Sequence, residues 1–164
     1  EQNNYLRRLE AGELEVRYLR NHADLTPETL VADSLLATIL EPHRGKVVYA
    51  DFWGSWCGPC KEQLKHMQAV KDELKGKDVV YLYFANNTPE DVRQVIVKKL
   101  GLYGDNIFHY NLPYEQQESI ERLLGVTRFP TFMLFDKNGK LISSDAPFPQ
   151  YLDALINEIN KCLE

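Results

Sequence analysis

Two cysteines three residues apart carry the most readable chemistry in this chain. They lie in Trp56-Cys57-Gly58-Pro59-Cys60, between an apolar segment and the start of a helical pattern. A Cys-x-x-Cys pair at a strand-to-helix junction reads as a redox motif. The first turn of a helix presents backbone N–H groups with no helical partner, and its dipole end is positive. Both favour a thiolate on Cys57. Cys60 is near enough to close a small disulfide ring and falls under the helix, away from solvent. The gain is modest. Lowering a thiol pKa from about 8.5 to about 7 raises the thiolate fraction roughly 15-fold at pH 7. Lower intrinsic nucleophilicity takes back about five-fold, leaving about three-fold in attack. The low pKa matters more for making Cys57 a good leaving group when Cys60 resolves a mixed disulfide.

The competing chemistry for such a pair is a structural zinc site. Zinc wants four ligands, commonly with a second Cys or His pair at short spacing. The remaining cysteine is Cys162, and the four histidines are scattered. His66, six residues past Cys60, has no companion pair. No metal or organic cofactor is expected.

Asp51 lies six residues before Cys57 in an otherwise apolar run. It is either a solvated strand-end carboxylate or a buried acid. A buried acid without a partner has its pKa raised toward neutrality, which suits proton transfer with Cys60.

The elements around these residues follow from periodicity. Val47 to Trp53 and Val79 to Ala85 are β-branched and aromatic with little alternation, as in strands buried on both faces. A helical period runs from Lys61 through Leu64, Met67, Val70 and Leu74 to Gly76. Thr26-Pro27-Glu28 and Thr88-Pro89-Glu90 are helix starts. The first serves Leu30, Val31, Leu35 and Ile39. The second turns Val92, Val95, Ile96 and Leu100 inward and stops at Gly101. Ile107 to Tyr110 is a short extended piece, and Glu115 to Leu124 a helix closed by Gly125. Thr131 to Phe135 and Lys140 to Ser143 flank the turn Asp136-Lys137-Asn138-Gly139. Tyr151, Leu152, Leu155, Ile156 and Ile159 mark a closing amphipathic helix. Loosely periodic leucines, Leu6 and Leu9 with Leu14 and Val16 beyond, make the first forty residues helical. Strands alternating with helices, then a hairpin, predict an α/β layered domain with a mixed sheet.

Asp51-Phe52-Trp53-Gly54-Ser55-Trp56-Cys57-Gly58-Pro59-Cys60-Lys61 resembles the active-site segment of the thioredoxin family. Gly125-Val126-Thr127-Arg128-Phe129-Pro130-Thr131 resembles its cis-proline loop, and Asp136 to Ile142 the hairpin that follows. The resemblance implies a thioredoxin fold: a mixed central sheet flanked by helices, over residues 45–164. It implies protein disulfide substrates and an electron-donor protein. Cys57 would attack, Cys60 resolve and Asp51 move the proton. Trp56, Gly58, Pro59, Phe129, Pro130 and Thr131 would form the docking surface, with Pro130 cis. Phe129 stands where a smaller aliphatic is usual; simple core filling is its alternative role. Thioredoxin's lysine beside the acid has no counterpart in Val79 to Ala85. About thirty residues inserted at 86–113 resemble the TlpA/ResA-like branch of bacterial thiol–disulfide oxidoreductases, whose members are typically exported and often tethered. Residues 1–44 form a helical N-terminal extension, packed on the domain or leading into it from an upstream anchor or domain.

The Gly-Pro dipeptide between the cysteines is thioredoxin's own and favours the reducing direction. The rivals are an oxidase or isomerase, and a non-catalytic thioredoxin-like binding module of a larger protein. A periplasmic or exported home fits the insert, and a cytoplasmic one fits the reducing dipeptide. The net charge of −5 disfavours nucleic acid as a partner. No uncharged apolar run reaches the roughly 18 residues that a membrane span needs. Trp53 is expected in the core and Trp56 exposed. Lys61 and Cys162 are expected to be bystanders. Asn86-Asn87-Thr88 fits a glycosylation sequon. Tyr103, Tyr110 and Tyr114 are expected to pack around the insert.

Overall fold

A computed structural model describes residues 2–19 and 22–164. Five strands make one sheet: β1 (Val47–Trp53), β2 (Val79–Ala85), β3 (Ile107–Tyr110), β4 (Thr131–Phe135) and β5 (Leu141–Ser143). Their order across the sheet is β3-β2-β1-β4-β5. β1 and β2 pair in parallel, as do β2 and β3, while β4 runs antiparallel to both β1 and β5. The two central strands are buried at every position, as their unbroken apolar composition requires.

Helices cover both faces. Odd-numbered residues of β1 and β2 share one core with Cys60, Leu64, Met67, Val70, Leu155 and Ile159. That face is closed by α3 (Gly58–Leu64), α4 (Met67–Glu73) and α7 (Leu152–Leu163). Even-numbered residues meet Ala32, Leu36, Ile120 and Leu124 on the other face. That face is closed by α2 (Pro27–Leu40) and α6 (Tyr114–Leu124). The mixed α/β architecture is the thioredoxin fold expected from the sequence. α5 (Glu90–Leu100) and β3 come from the segment between β2 and α6, so that segment supplies an edge strand of the sheet.

α2 begins as read from the sequence. The Thr26 Oγ1 accepts the Thr29 N–H at 3.2 Å, and the Thr29 Oγ1 accepts the Thr26 N–H at 2.8 Å. Asp33 of α2, itself buried, gathers the segment before it. Its carboxylate accepts the backbone N–H groups of Arg17, Tyr18 and Leu19 at 2.7–3.2 Å. The Tyr18 hydroxyl then donates to the Gly139 carbonyl at 2.9 Å, tying this segment to the β4–β5 turn.

Four local expectations need correction. The first helix, α1 (Gln2–Glu10), ends before Leu14 and Val16. Glu1, Arg20 and Asn21 of the expected helical segment lie outside the described residues. The helix expected from Lys61 to Gly76 is two helices. Lys65 and His66 donate back to the Glu62 and Gln63 carbonyls at 3.2 and 2.9 Å, which closes α3. Val92 and Val95 of α5 face solvent; Ile96 and Leu100 meet the core as expected, joined by Val97. The Arg93 side chain, only 15% exposed, completes that stripe through its aliphatic stem. Thr88 does not cap α5, whose N-cap is Pro89 without a side-chain bond; its hydroxyl is used elsewhere.

Candidate active site

β1 delivers the chain into Gly54-Ser55-Trp56 and then α3. Cys57 is the N-cap of α3, and its Sγ accepts the Cys60 N–H at 3.2 Å. The sulfur therefore takes a backbone donor that the helix leaves unpaired. Cys57 and Cys60 form a disulfide with Cα atoms 5.3 Å apart. Cys60 is fully buried and Cys57 is 5% exposed. Pro59 lies in the first turn, where its missing N–H costs nothing. Gly58 and Pro59 are solvent-exposed beside the disulfide.

Trp56 is 54% exposed, the large apolar side chain nearest the pair in sequence. Its indole N–H donates to the Asn86 carbonyl at 3.0 Å. Its ring meets Phe129 edge-on, with centroids 5.3 Å apart. A Cβ at Gly54 would run into the indole nitrogen, so glycine is needed for this close approach. Phe129 is half-buried and touches both cores. The Phe129–Pro130 bond is cis. Thr131, which opens β4, donates its hydroxyl to the Arg128 carbonyl at 2.6 Å. The predicted Trp56, Phe129, Pro130 and Thr131 are thus joined through one aromatic contact and one loop.

Asp51 is buried, not a solvated strand end. By strand alternation it shares the face of β1 that holds Tyr49 and Trp53, the face on which Cys57 and Cys60 pack. Neither carboxyl oxygen has a hydrogen-bond partner. Burial pushes its pKa well above the ordinary carboxylate range. Trp53 is fully buried, as expected. Lys61 is solvent-exposed, and Cys162 is a half-buried free thiol in α7.

A polar bridge that sequence reasoning missed anchors the loop before Cys57. The Thr88 hydroxyl accepts the Ser55 N–H at 2.9 Å and donates to the Asn86 carbonyl at 2.9 Å. The Asn86 side-chain amide donates to both oxygens of Glu121 at 3.0 and 2.9 Å. Gln117 donates to the same carboxylate at 2.9 Å. The sequon asparagine therefore spends its amide inside the protein. The signal lay in Asn86-Asn87-Thr88 itself, polar residues directly after a buried strand, but nothing local names Glu121 as their partner. Tyr110 stacks on Phe84, whereas Tyr103 and Tyr114 stay exposed.

Among the described residues no cluster of His, Cys, Asp and Glu could hold a metal ion. No helix among them is long and apolar enough to cross a membrane.

A buried disulfide at a helix start, a cis-proline loop and a buried acid on the central strand define the class of site. The sequence profile described as Thioredoxin-like matches residues 45–141, and the chain belongs to that family. Among its relatives, the thiol-disulfide oxidoreductase ResA of Geobacillus thermodenitrificans is 28% identical over 102 residues. That match covers 62% of this chain and 55% of the relative. ResA of Halalkalibacterium halodurans is 27% identical over 115 residues, 70% of this chain and 60% of its own. The chain thus spans a little over half the length of these relatives. The thioredoxin domain of a Bacteroides vulgatus thiol-disulfide oxidoreductase superposes with TM-score 0.64 at 20% identity, covering 76% of this chain and 84% of that one. A Chlorobium tepidum protein described as a DsbE thiol:disulfide interchange protein superposes with TM-score 0.62 at 27% identity, covering 76% and 85%.

Proposed function

We propose that the chain is a thiol–disulfide oxidoreductase that reduces protein disulfides. The observation that carries this reading is Cys57 at the N-cap of α3, its sulfur accepting the Cys60 N–H. That donor stabilises a thiolate on Cys57 and leaves Cys60 buried behind it. In the reaction the Cys57 thiolate attacks one sulfur of a substrate disulfide and the other sulfur leaves as a thiolate. Cys60 then gives its proton to Asp51 and attacks the Cys57 sulfur, releasing the second substrate thiolate. The substrate gains two electrons, and Cys57 and Cys60 end as a disulfide. A donor dithiol protein must return those electrons.

Trp56, Gly58, Pro59, Phe129, Pro130 and Thr131 are the substrate-facing groups in this reading. The exposed indole edge-on to Phe129 supports it, because a rigid aromatic pair offers apolar area at low entropic cost. The Gly-Pro dipeptide supports the reducing direction. The likeness of residues 86–113 to an exported branch supports an extracytoplasmic home, and Ala32 and Leu36 of α2, buried against the sheet, support an N-terminal extension that packs on the 45–164 domain.

Equilibration in graded thiol–disulfide buffers, followed by mass-tagged alkylation, tests the proposal, with C162S as the background. A potential below about −250 mV is expected of a reductase. A value above about −180 mV would reverse the direction. A pair that never titrates reversibly would remove exchange and leave a binding module.

A further inference from the structure

Trp56 and Phe129 sit on two separate loops, yet their rings meet edge-on with centroids 5.3 Å apart. One residue holds both loops. Glu121 lies in the last turn of α6, just before the segment that carries Phe129 and Pro130. Its backbone carbonyl accepts the Val126 N–H at 2.8 Å, while the Gly125 N–H goes to the Arg122 carbonyl at 3.3 Å. This pair of bonds closes a helix whose next residue is left-handed, and Gly125 has a φ of 74°. The backbone of Glu121 therefore fixes how the chain leaves α6 toward the proline loop.

The side chain of Glu121, itself buried, reaches the other loop. Its two oxygens accept the Asn86 side-chain amide at 3.0 and 2.9 Å. The Asn86 backbone N–H donates to the Trp53 carbonyl at 2.7 Å, so Asn86 is pinned through both its backbone and its side chain. Its carbonyl then takes two donors, the Trp56 indole N–H at 3.0 Å and the Thr88 hydroxyl at 2.9 Å. The Thr88 oxygen in turn accepts the Ser55 N–H at 2.9 Å. Asn87, the next residue, has a φ of 41°, a conformation that asparagine adopts more readily than most side chains. Each link from the Glu121 carboxylate to the Trp56 indole is a hydrogen bond of ordinary length. Stability alone would not select this arrangement. Gln117 gives its amide to the same carboxylate at 2.9 Å, and its own oxygen is left buried without a partner. Taking a carboxylate out of water is unfavourable, whereas a connected polar network fixes direction.

We propose that Glu121 is a positioning residue for substrate docking, holding the Trp56 indole against Phe129 through the Asn86 side chain. The proposal rests on Trp56 as a substrate-facing group. More than half of Trp56 is exposed, so burial alone does not fix its ring; the indole bond and the Phe129 contact do. An aromatic anchor serves a partner best when it is already in place, because ordering it on contact weakens binding. Without the carboxylate, Asn86 keeps its backbone bond but loses the hold on its side chain. Its carbonyl is then free to rock, and the indole moves with it. None of these bonds involves Cys57 or Cys60, so the chemistry of the pair with a small disulfide is left alone.

E121Q tests this, since glutamine keeps the shape and sets an N–H against the Asn86 and Gln117 donors. The background is the reduced C162S protein, with insulin as the protein disulfide and 5,5′-dithiobis(2-nitrobenzoate) as the small one. E121Q should raise KM for insulin about five-fold, the worth of one hydrogen bond, and change the rate with the small disulfide by less than about two-fold. In W56F, whose ring has no N–H to give, the same substitution should change KM for insulin by less than about two-fold. An equal loss in both backgrounds overturns the proposal. The second readout is exchange of the isotope-labelled Trp56 indole proton with solvent. It should quicken about five-fold in E121Q. It should not quicken in L36A, which loosens the core and touches none of these bonds. Exchange that is unchanged in E121Q, or equally fast in L36A, overturns the proposal. If E121Q does not fold, N86A, which leaves the Glu121–Gln117 bond in place, takes its part with the same expectations. A parent protein that does not reduce insulin removes the oxidoreductase reading, and the indole exchange then decides the positioning on its own.

Discussion

Replacing Asp51 with asparagine should raise thermal stability, and the gain should grow with pH. An aspartate in the unfolded chain titrates near about 4. Burial without a partner holds the folded value well above that. Below the unfolded pKa both states carry the proton and stability is at its fullest. As pH rises above it, the unfolded state loses a proton that the folded state keeps. Stability then falls by at most about 1.4 kcal/mol per pH unit, until the folded pKa is passed and the loss levels off. Asparagine has nearly the same shape and no proton to lose. For 164 residues the unfolding entropy is about 0.34 kcal/mol/K, so 1.4 kcal/mol corresponds to about 4 °C. Calorimetry of the oxidised proteins from pH 4 to pH 8 should show the D51N melting temperature gaining on the parent's by up to about 4 °C per pH unit before levelling. Any constant offset from burying an amide is independent of pH and drops out of the slope. Parallel curves throughout would refute the reasoning, because they require an Asp51 carboxyl that titrates alike in both states.

Three further outcomes follow from other parts of the molecule. W56A should slow exchange with a protein disulfide by about ten-fold, as loss of a central aromatic anchor does. It should change the rate with a small aromatic disulfide far less, and stopped-flow comparison of the two substrates would show it. E121Q sets an amide against the donors Asn86 and Gln117 and should cost about 1–3 kcal/mol, read as a melting temperature lowered by about 3–9 °C. L36A empties a fully buried site where α2 meets the sheet. A loss of about 2–5 kcal/mol in denaturant unfolding is expected if α2 is integral to the domain, and a loss under about 1 kcal/mol would make it a detachable extension.

The central strands were legible because a strand buried on both faces has no choice of composition: Val47 to Trp53 and Val79 to Ala85 match β1 and β2 residue for residue. The disulfide was legible because its short spacing fixes it, whereas the proline loop was legible only through a family resemblance, since nothing in Phe129-Pro130 itself marks the bond as cis. The break between α3 and α4 was not, since Leu64, Met67, Val70 and Leu74 are all buried whether or not the backbone pauses between them. On α5 Ile96 and Leu100 were read correctly and Val92 and Val95 were not, because Arg93 and Val97 take the places in the stripe that those two were expected to fill. Glu121 was invisible for a different reason. Its partnership with Asn86 is set by which helix lies next to the end of β2, and that is a property of topology, not of neighbouring residues.

The place of β1 in the sheet has a consequence for how the chain is made. One side of β1 can pair as soon as β2 follows it, but the other side waits for β4, roughly eighty residues later. At a synthesis rate of about 5–20 residues per second, that wait is about 4–16 seconds on the ribosome. During it, Val47 to Trp53 is a seven-residue strand with an open edge and only one charge, Asp51. Such an edge is a template for strangers. Asp51 is the one charge in that run, and a charge within an exposed apolar strand is what disfavours its pairing with another chain.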